Sequence, residues 1–361
     1  IHGDITLILY GDVPLIDAKE LNQLVGQTNG GISIMTFDKE HPAGYGRIVR
    51  KNNRICAIVE DKDCTSEERK ITEINTGIMA VDSNQLKLWL KRLSNNNQQK
   101  EYYLTDIVKF AAEDNVEISS YKALNEITIS GINSNSELAM MERAYQMSLA
   151  NKLMDEGVTL VDPSRIDIRG QLVCGKDVII DVGCVFEDKV ILGDGVHVKA
   201  YSILKNCEIK ENTVIEPFSH IDASVVGHHN KIGPYARLRP GSTLADNVHI
   251  GNFVELKNTV IGEGTKINHL SYIGDTEIGS NVNVGAGTIT CNYDGANKHK
   301  TIIESDVFVG SDTQLIAPVK IGQGATIGAG STITQDVPAD KLTLSRTEQK
   351  TVSDWKRPTK K

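Results

Sequence analysis

The chain has 361 residues, of which 40% are hydrophobic and 24% are charged, as expected of a soluble protein that buries more than one core. Its 47 Asp and Glu residues outnumber 39 Lys and Arg residues, and the net charge of −8 excludes a general affinity for nucleic acid or anionic membranes. The first apolar run, residues 5–10, is too short for membrane insertion, and no signal peptide is recognisable. We therefore expect a cytoplasmic protein.

The chain begins at Ile1, not Met, and residues 5–10 already read as a buried strand. We therefore expect a fragment or a processed product. The cysteines form no Cys-x-x-Cys pair, which favours reduced, structural thiols over disulfides or a zinc site. They are Cys56, Cys64, Cys174, Cys184, Cys207 and Cys291.

Residues 1–135 predict an α/β domain, because short β-branched runs alternate with stretches of helical period. Residues 46–50 and 54–60, joined by Lys51-Asn52-Asn53, predict a hairpin beside it. The predicted strands cover residues 5–10, 32–37, 74–81 and 116–121, and the predicted helices cover residues 85–93 and 103–112. A connecting helix follows over residues 136–157 and closes at Gly157.

Residues 158–344 are periodic: an aliphatic residue, or once Phe, recurs every six positions with occasional five-residue steps. Many of these anchors are followed by Gly, as a tight corner requires. The pattern predicts a parallel β-helix of hexapeptide repeats, in which residues about eighteen apart stack at roughly 4.7–4.9 Å. The anchors are Ile180, Phe186, Leu192, Val198, Leu204, Ile209, Ile215, Ile221, Val226, Ile232, Leu238, Leu244, Ile250, Leu256, Ile261, Ile267, Ile273, Ile278, Val284, Ile303, Val309, Leu315, Ile321, Ile327 and Ile333.

Two segments depart from the period. Residues 290–300 are polar and rich in turn formers, which predicts a loop that leaves the helix. Residues 345–361 form a basic, aperiodic C-terminal tail.

Arg239 and Lys257 both follow an anchor directly and are eighteen residues apart, so we expect them to stack on one edge. An anion such as phosphate would relieve the repulsion between the two cations. The alternative is a pair of solvated surface charges.

His269 follows its anchor by two positions and should point away from the core. With Tyr272 nearby and Glu255 expected one coil before, it is a candidate general base, although a lone histidine is often inert. The remaining histidines, including His228-His229, do not assemble into a metal triad.

Asp12 follows the first predicted strand, at the edge where open α/β sheets hold ligands. Its carboxylate is suited to a phosphate-bridged Mg²⁺. An ordinary turn Asp before Pro14 is the alternative.

Several motifs, taken together, resemble the bacterial bifunctional N-acetylglucosamine-1-phosphate uridyltransferase/glucosamine-1-phosphate N-acetyltransferase family along the whole chain. They are LYGDVPL at 9–15, GYGRI at 44–48, IVE at 58–60, EINTG at 73–77, EYYLTD at 101–106 and GAGTITCNYDG at 285–295. The resemblance implies a Rossmann-like nucleotidyltransferase domain, a connecting helix, and a left-handed parallel β-helix that forms a homotrimer. It also implies acetyl transfer from acetyl-CoA to glucosamine-1-phosphate, and synthesis of UDP-N-acetylglucosamine, a precursor of peptidoglycan and lipopolysaccharide, from UTP.

The same resemblance implies roles for individual residues. His269 would accept the proton of the amine, and Asp12 and Asn133 would bind Mg²⁺. The sugar-phosphate residues would be Arg239, Lys257, Tyr272 and Asn283; the acetyl-CoA residues Ala286, Asn292, Tyr293, Ser311, Ala329 and Arg346; and the uridine-sugar residues Tyr10, Gly11, Asp12, Gly46, Glu60, Asn75 and Asn133.

The chain departs from the family at its front, where the Gly-rich triphosphate loop is absent from these 361 residues, so we do not expect uridyl transfer. For acetyl transfer, backbone amides at residues 285–287 are candidate oxyanion donors. Two alternatives stay open: a non-catalytic hexapeptide scaffold, which would need neither His269 nor the Arg239–Lys257 pair, and a sugar-nucleotide synthase only, which the absent loop disfavours.

Overall fold

The computed structural model describes residues 3–97 and 99–360. Ile1, the start of the expected fragment, and Lys361, the end of the predicted basic tail, lie outside the described residues. The chain divides into two compact units between Tyr145 and Gln146.

The first unit is a mixed six-stranded sheet with three helices. The sheet has the order β4-β3-β5-β2-β6, and β1 pairs with β5. Strands β2 and β6 are parallel, whereas β5 is antiparallel to β1, β2 and β3. The elements are β1 Ile5–Ile8, α1 Ala18–Gly26, β2 Ile32–Asp38, β3 Arg47–Lys51, β4 Arg54–Val59, β5 Glu73–Asp82, α2 Ser83–Leu90, α3 Asp106–Glu113 and β6 Ile118–Lys122.

Local sequence signals explain where several of these elements begin. Asp17 caps α1 by accepting a hydrogen bond from Lys19 N at 2.8 Å, and Asp82 caps α2 in the same way. The predicted hairpin is confirmed as β3 and β4. Its turn residues Asn52 and Asn53 adopt φ values of 50° and 63°, a conformation that asparagine tolerates better than most residues.

The prediction of a buried first strand is wrong. Strand β1 is shorter than expected, and Ile5 and Leu7 are 40% and 37% exposed. It hydrogen-bonds to β5 along one edge only, so its side chains are less enclosed than those of the central strands. An apolar run does not distinguish an edge strand from a central one.

The long helix α4 covers Asn135–Asp155. Within the second unit, its residues Ala150 and Leu153 pack against the first coil of the following domain. The buried side chain of Gln146 binds both backbone groups of Ile168, donating to the carbonyl at 3.0 Å and accepting from the amide at 2.8 Å. These contacts close the end of the hydrophobic core with satisfied polar groups.

The second unit is a left-handed parallel β-helix built from hexapeptide repeats, as predicted. Its strands form one sheet of fourteen strands and one of eleven. They are β7 Thr159–Leu160, β8 Asp167–Cys174, β9 Ile179–Ile180, β10 Val185–Leu192, β11 His197–Val198, β12 Ile203–Ile209, β13 Val214–Ile215, β14 His220–Asp222, β15 Val225–Val226, β16 Lys231–Ile232, β17 Arg237–Leu238, β18 Thr243–Leu244, β19 His249–Asn252, β20 Glu255–Ile261, β21 Lys266–His269, β22 Tyr272–Ile278, β23 Asn283–Val284, β24 Ile289–Cys291, β25 Thr301–Ile303, β26 Phe308–Val309, β27 Gln314–Ile316, β28 Val319–Ile321, β29 Thr326–Ile327, β30 Thr332–Ile333 and β31 Leu342–Thr343.

Every predicted anchor from Ile180 to Ile333 is buried and belongs to one continuous core. Stacked residues are eighteen apart in some coils, as for Leu238 and Leu256. Where a hexad is one residue shorter they are seventeen apart, as for Ile250 and Ile267. This alternation decides which polar side chains meet on the surface.

One corner of the β-helix carries four stacked aromatic rings, from Tyr201 through Phe218 and Tyr235 to Phe253. Their centroids are 5.0–5.4 Å apart, and all four residues have φ between 55° and 60°. Non-glycine residues seldom adopt this conformation, so ring stacking offsets part of its cost.

None of the helices within residues 3–97 and 99–360 is long and apolar enough to cross a membrane.

Candidate functional site

The predicted cationic edge is present. Arg239 directly follows β17, and its backbone amide donates to Leu256 O at 2.9 Å, which places it one coil before Lys257. The Arg239 guanidinium also donates to Glu255 Oε1 at 2.8 Å. Tyr272 lies in the coil after Lys257, where it is paired with Glu255. Three of the predicted sugar-phosphate residues, Arg239, Lys257 and Tyr272, therefore lie on consecutive coils.

A third cation, Lys298, joins this edge and was missed by the sequence analysis. It lines a cavity of about 280 Å³ with Asn258 and Asp275. The close approach of the Lys298 ammonium group, followed by desolvation and the charge of Arg239, lowers the pKa of Lys257. Crowded cations that destabilise one another in this way are suited to bind an anion.

Lys298 reaches the edge because residues 292–300 fold back over the preceding coil. Asp294 organises this loop: it accepts hydrogen bonds from the amides of Ala296 and Asn297 at 2.8 and 2.6 Å and contacts His299 Nε2 at 2.7 Å. These bonds hold the pKa of Asp294 well below its ordinary value. The polar composition of the segment predicts the loop, but it does not indicate where Lys298 ends up.

His269 is exposed at the end of β21, as predicted, and Glu255 lies in the preceding coil, also as predicted. The residue stacked on His269 is Asn252, whose Oδ1 lies 2.7 Å from His269 Nδ1. Glu255 is instead stacked on Tyr272 and paired with Arg239. Because Asn252 and His269 are seventeen residues apart, a spacing of eighteen does not pair them, and Asn252 is a second residue that the sequence analysis missed.

The remaining β-helix candidates fall into two groups. Ala286, Ser311 and Ala329 lie at successive coils: Asp312 N donates to Ala286 O at 2.7 Å, and Gly330 N donates to Ser311 O at 2.8 Å. The Arg346 side chain lies next to the same column, with Cδ 3.7 Å from the point that a Cβ on Gly330 would occupy.

The other candidates flank this column. Asn283 begins β23 and is paired with Lys266. In the loop, the nearly buried Asn292 donates to Asp275 Oδ2, while the Tyr293 ring is 62% exposed.

In the first unit, a cavity of about 390 Å³ brings together six of the seven predicted uridine-sugar residues; Gly11 is adjacent to Tyr10 but is not part of the lining. These six are Tyr10, Asp12, Gly46, Glu60, Asn75 and Asn133. Within the cavity, burial of Tyr10, followed by the nearby charges of Glu60 and Asp12, raises the pKa of its hydroxyl.

The floor of this cavity depends on close packing. A Cβ on Gly46 would lie 2.9 Å from Ile58 Cγ2, so a larger residue there would displace the hairpin. Glu60 accepts a hydrogen bond from Thr105 Oγ1 at 2.9 Å, and Asn75 Oδ1 accepts one from Gly77 N at 3.0 Å. Both side chains are therefore oriented in advance.

Asp12 and Asn133 fit the expected magnesium ligands in chemistry. A carboxylate and an amide oxygen line the same cavity, and Mg²⁺ typically takes one or two such ligands together with phosphate oxygens and water. Space beside Asp12 is kept open by Gly131, since a Cβ there would lie 3.0 Å from Asp12 Oδ2. No three His, Cys, Asp or Glu side chains converge as a metal-binding group within the part of the chain that the structure describes.

Comparison with known proteins identifies the families that the repeats match. Residues 258–291 and 300–335 match the family described as "Bacterial transferase hexapeptide (six repeats)", and residues 168–251 match "GMPPB C-terminal domain". The hexapeptide match skips residues 292–299, which lie within the loop that carries Lys298.

Two similar proteins are both named "Bifunctional protein GlmU". The one from Nitrosospira multiformis is 56% identical over 99% of this chain and 78% of its own length. The one from Herminiimonas arsenicoxydans is 56% identical over 98% of this chain and 79% of its own length. The chain belongs to the GlmU family. As a GlmU-family protein it is an acyltransferase, of a family that combines glucosamine-1-phosphate N-acetyltransferase with uridyltransferase activity.

A solved structure, the UDP-N-acetylglucosamine acyltransferase of Francisella novicida, is 18% identical to this chain. It covers 49% of this chain and 64% of its own, with a TM-score of 0.35.

Proposed function

We propose that the β-helix binds acetyl-CoA and glucosamine-1-phosphate, and that the residues predicted above carry out acetylation of the sugar amine. The observation that supports this most directly is the convergence of Arg239, Lys257 and Lys298 on one edge. Such a cluster gains stability when a phosphate binds, because the mutually repelling Lys257 and Lys298 then share an anionic partner, beside Arg239 and its ion pair with Glu255. A scaffold that serves only assembly has no need of this costly arrangement.

His269 acts as the general base. Its imidazole removes a proton from the sugar's neutral amine as the amine nitrogen attacks the thioester carbonyl carbon of acetyl-CoA. The tetrahedral oxyanion then collapses, the carbon–sulfur bond breaks, and the leaving CoA sulfur takes the proton back from the imidazolium. Products are N-acetylglucosamine-1-phosphate and CoA.

The predicted oxyanion donors need one correction. The N–H of Gly285 donates to Val309 O at 2.8 Å, so this amide already has a partner and is unsuited to the oxyanion. The proposal therefore assigns that role to the amides of Ala286 and Gly287, at the same corner.

The column formed by Ala286, Ser311 and Ala329 is the proposed acetyl-CoA surface. Its small side chains leave the corners open to an extended ligand, and Arg346 supplies a cation for a phosphate of CoA. Asn292 and Tyr293 line its loop side. Asn283 joins Tyr272 on the sugar. The homotrimer and the cytoplasmic location remain part of the proposal and rest on family membership.

The cavity of the first unit is the proposed site for Mg²⁺ and the uridine sugar. When bound, Mg²⁺ would offset the charge of phosphate oxygens, and Asp12 and Asn133 would hold it. The test measures binding of UDP-N-acetylglucosamine by calorimetry with and without Mg²⁺. Replacing Asp12 by Ala should remove the Mg²⁺ dependence, whereas replacing the exposed Asp38, which pairs with Lys122, should not.

The acetylation proposal is tested by following CoA release from acetyl-CoA with glucosamine-1-phosphate, and separately with glucosamine. Turnover that requires the phosphate supports it. Absence of turnover in a folded preparation would favour the scaffold alternative. Sedimentation equilibrium gives the number of copies in the same preparation.

A further inference from the structure

The side-chain amide of Asn252 lies against the imidazole of His269. Asn252 ends β19, His269 ends β21, and the two residues are directly paired across these strands. Asn252 Oδ1 lies 2.7 Å from His269 Nδ1. An amide oxygen only accepts hydrogen bonds, so Nδ1 must be the donor, and the lone pair of the neutral ring then resides on Nε2.

We propose that Asn252 is a positioning residue that holds His269 in the Nδ1–H tautomer, with Nε2 ready to accept a proton. For its kinetic consequence this inference rests on the proposed function, in which His269 is the base. The tautomer itself is a property of the free protein and can be measured without substrate.

Several charged groups lie near His269, whereas Asn252, its hydrogen-bond partner, is neutral. His269 and Asn252 line a cavity of about 390 Å³ together with His249, Lys231 and Glu216, and Lys266 lies on the same strand as His269. Glu216 is paired with Lys199 at 2.8 Å and Lys231 at 3.4 Å.

Glu255 does not serve as the partner either, because it is paired with Arg239 at 2.8 Å. A carboxylate in place of Asn252 would orient the ring equally well, but it would also favour the protonated imidazolium, which cannot act as a base. The amide fixes the tautomer and leaves the imidazole free to gain its proton during the reaction.

The tautomer is tested by ¹⁵N NMR of protein labelled at histidine, with His269→Gln identifying the resonance. At a pH where the ring is neutral, we expect protonated Nδ1 and unprotonated Nε2. In Asn252→Ala the His269 signals should move toward the opposite tautomer or toward averaging. A wild-type ring protonated on Nε2 would overturn the proposal.

Kinetics supply the second test. Asn252→Ala should lower kcat about ten- to a hundred-fold while the KM of each substrate changes by less than about two-fold, because the base is present but misdirected. Asn252→Asp should recover activity at high pH and shift the acidic limb of the pH–rate profile upward, since its carboxylate favours the imidazolium.

The matched control is Asn247→Gly, an exposed corner asparagine at φ 59°, where glycine keeps the backbone conformation; its kcat should stay unchanged. If Asn252→Ala changes the tautomer but not kcat, the positioning role is wrong. If His269→Ala itself keeps full kcat, the proposed base is wrong, whereas the NMR result on Asn252 is unaffected.

Discussion

Lys257 and Lys298 approach one another although Lys257 lies on strand β20 and Lys298 lies in the polar loop at residues 292–300, and this contact is the main cause of the lowered pKa of Lys257. Arg239 adds to the repulsion from the preceding coil. A phosphate placed among the three groups would convert repulsion into charge-assisted hydrogen bonds.

Replacing Arg239 or Lys257 by Ala should therefore raise KM for glucosamine-1-phosphate. Loss of one charge-assisted hydrogen bond is worth about 1.5–3 kcal/mol, or roughly ten- to a hundred-fold. KM for acetyl-CoA should change little. Arg237→Ala is the control, because Arg237 lies two residues before Arg239 but is exposed and makes only a long contact, 3.8 Å, with Glu255. Equal effects on both substrates would contradict the phosphate role.

Replacing His269 by Ala should lower kcat by about 10²–10⁴-fold, the usual contribution of a positioned base. Because the side chain is exposed, thermal stability, the number of copies and the affinity for CoA should stay near those of the unchanged protein. Steady-state kinetics, sedimentation and calorimetry check these three expectations. A variant that keeps more than a tenth of kcat would exclude His269 as the base.

The anchors should dominate the stability of the second unit. Ile250 is fully buried, and its replacement by Ala should reduce the free energy of unfolding by about 2–5 kcal/mol. Ile203 belongs to the same β-helix but is 38% exposed, so the same replacement should cost less than half as much. Urea titration followed by circular dichroism compares the two. Equal losses would show that anchor burial is not what stabilises the coils.

Three cysteines of the second unit should resist alkylation. Burial raises the pKa of Cys174 and Cys207 to about 12 and that of Cys184 to about 11, and the thiolate is the reactive form. Iodoacetamide at pH 8 should leave these three unmodified in the folded protein, whereas all six cysteines should react in urea. Mass spectrometry of the digested protein reads the result. Rapid labelling of Cys207 in the native state would contradict the buried environment.

The hexapeptide period made the β-helix predictable, because buried aliphatic anchors such as Ile250 and Leu256 recur with little interruption. The surface was harder to predict. A stacking rule of about eighteen residues works for Arg239 and Lys257, but it does not pair Asn252 with His269, since a hexad that is one residue short leaves these two residues seventeen apart. Anchors therefore have to be aligned first, and the polar residues read from that alignment.

Asn252 and Lys298 illustrate two different limits. Asn252 could have been found by aligning Ile250 with Ile267, which places it opposite His269. Lys298 could not, because it lies in a loop whose path depends on hydrogen bonds made by Asp294. Likewise, the half-exposed position of β1 depends on which strands pair with it, which an apolar run does not encode.

The loop at residues 292–300 has a consequence for how the binding edge can change. Strand β22 pairs with β24 before the loop and with β25 after it, so Thr276 is stacked on Thr301 as if the intervening residues were absent. The core residue Ile303 remains aligned with Ile278. Insertions or deletions within the loop can therefore alter the reach of Lys298 without shifting the coils, which lets ligand preference vary independently of the architecture that supports it.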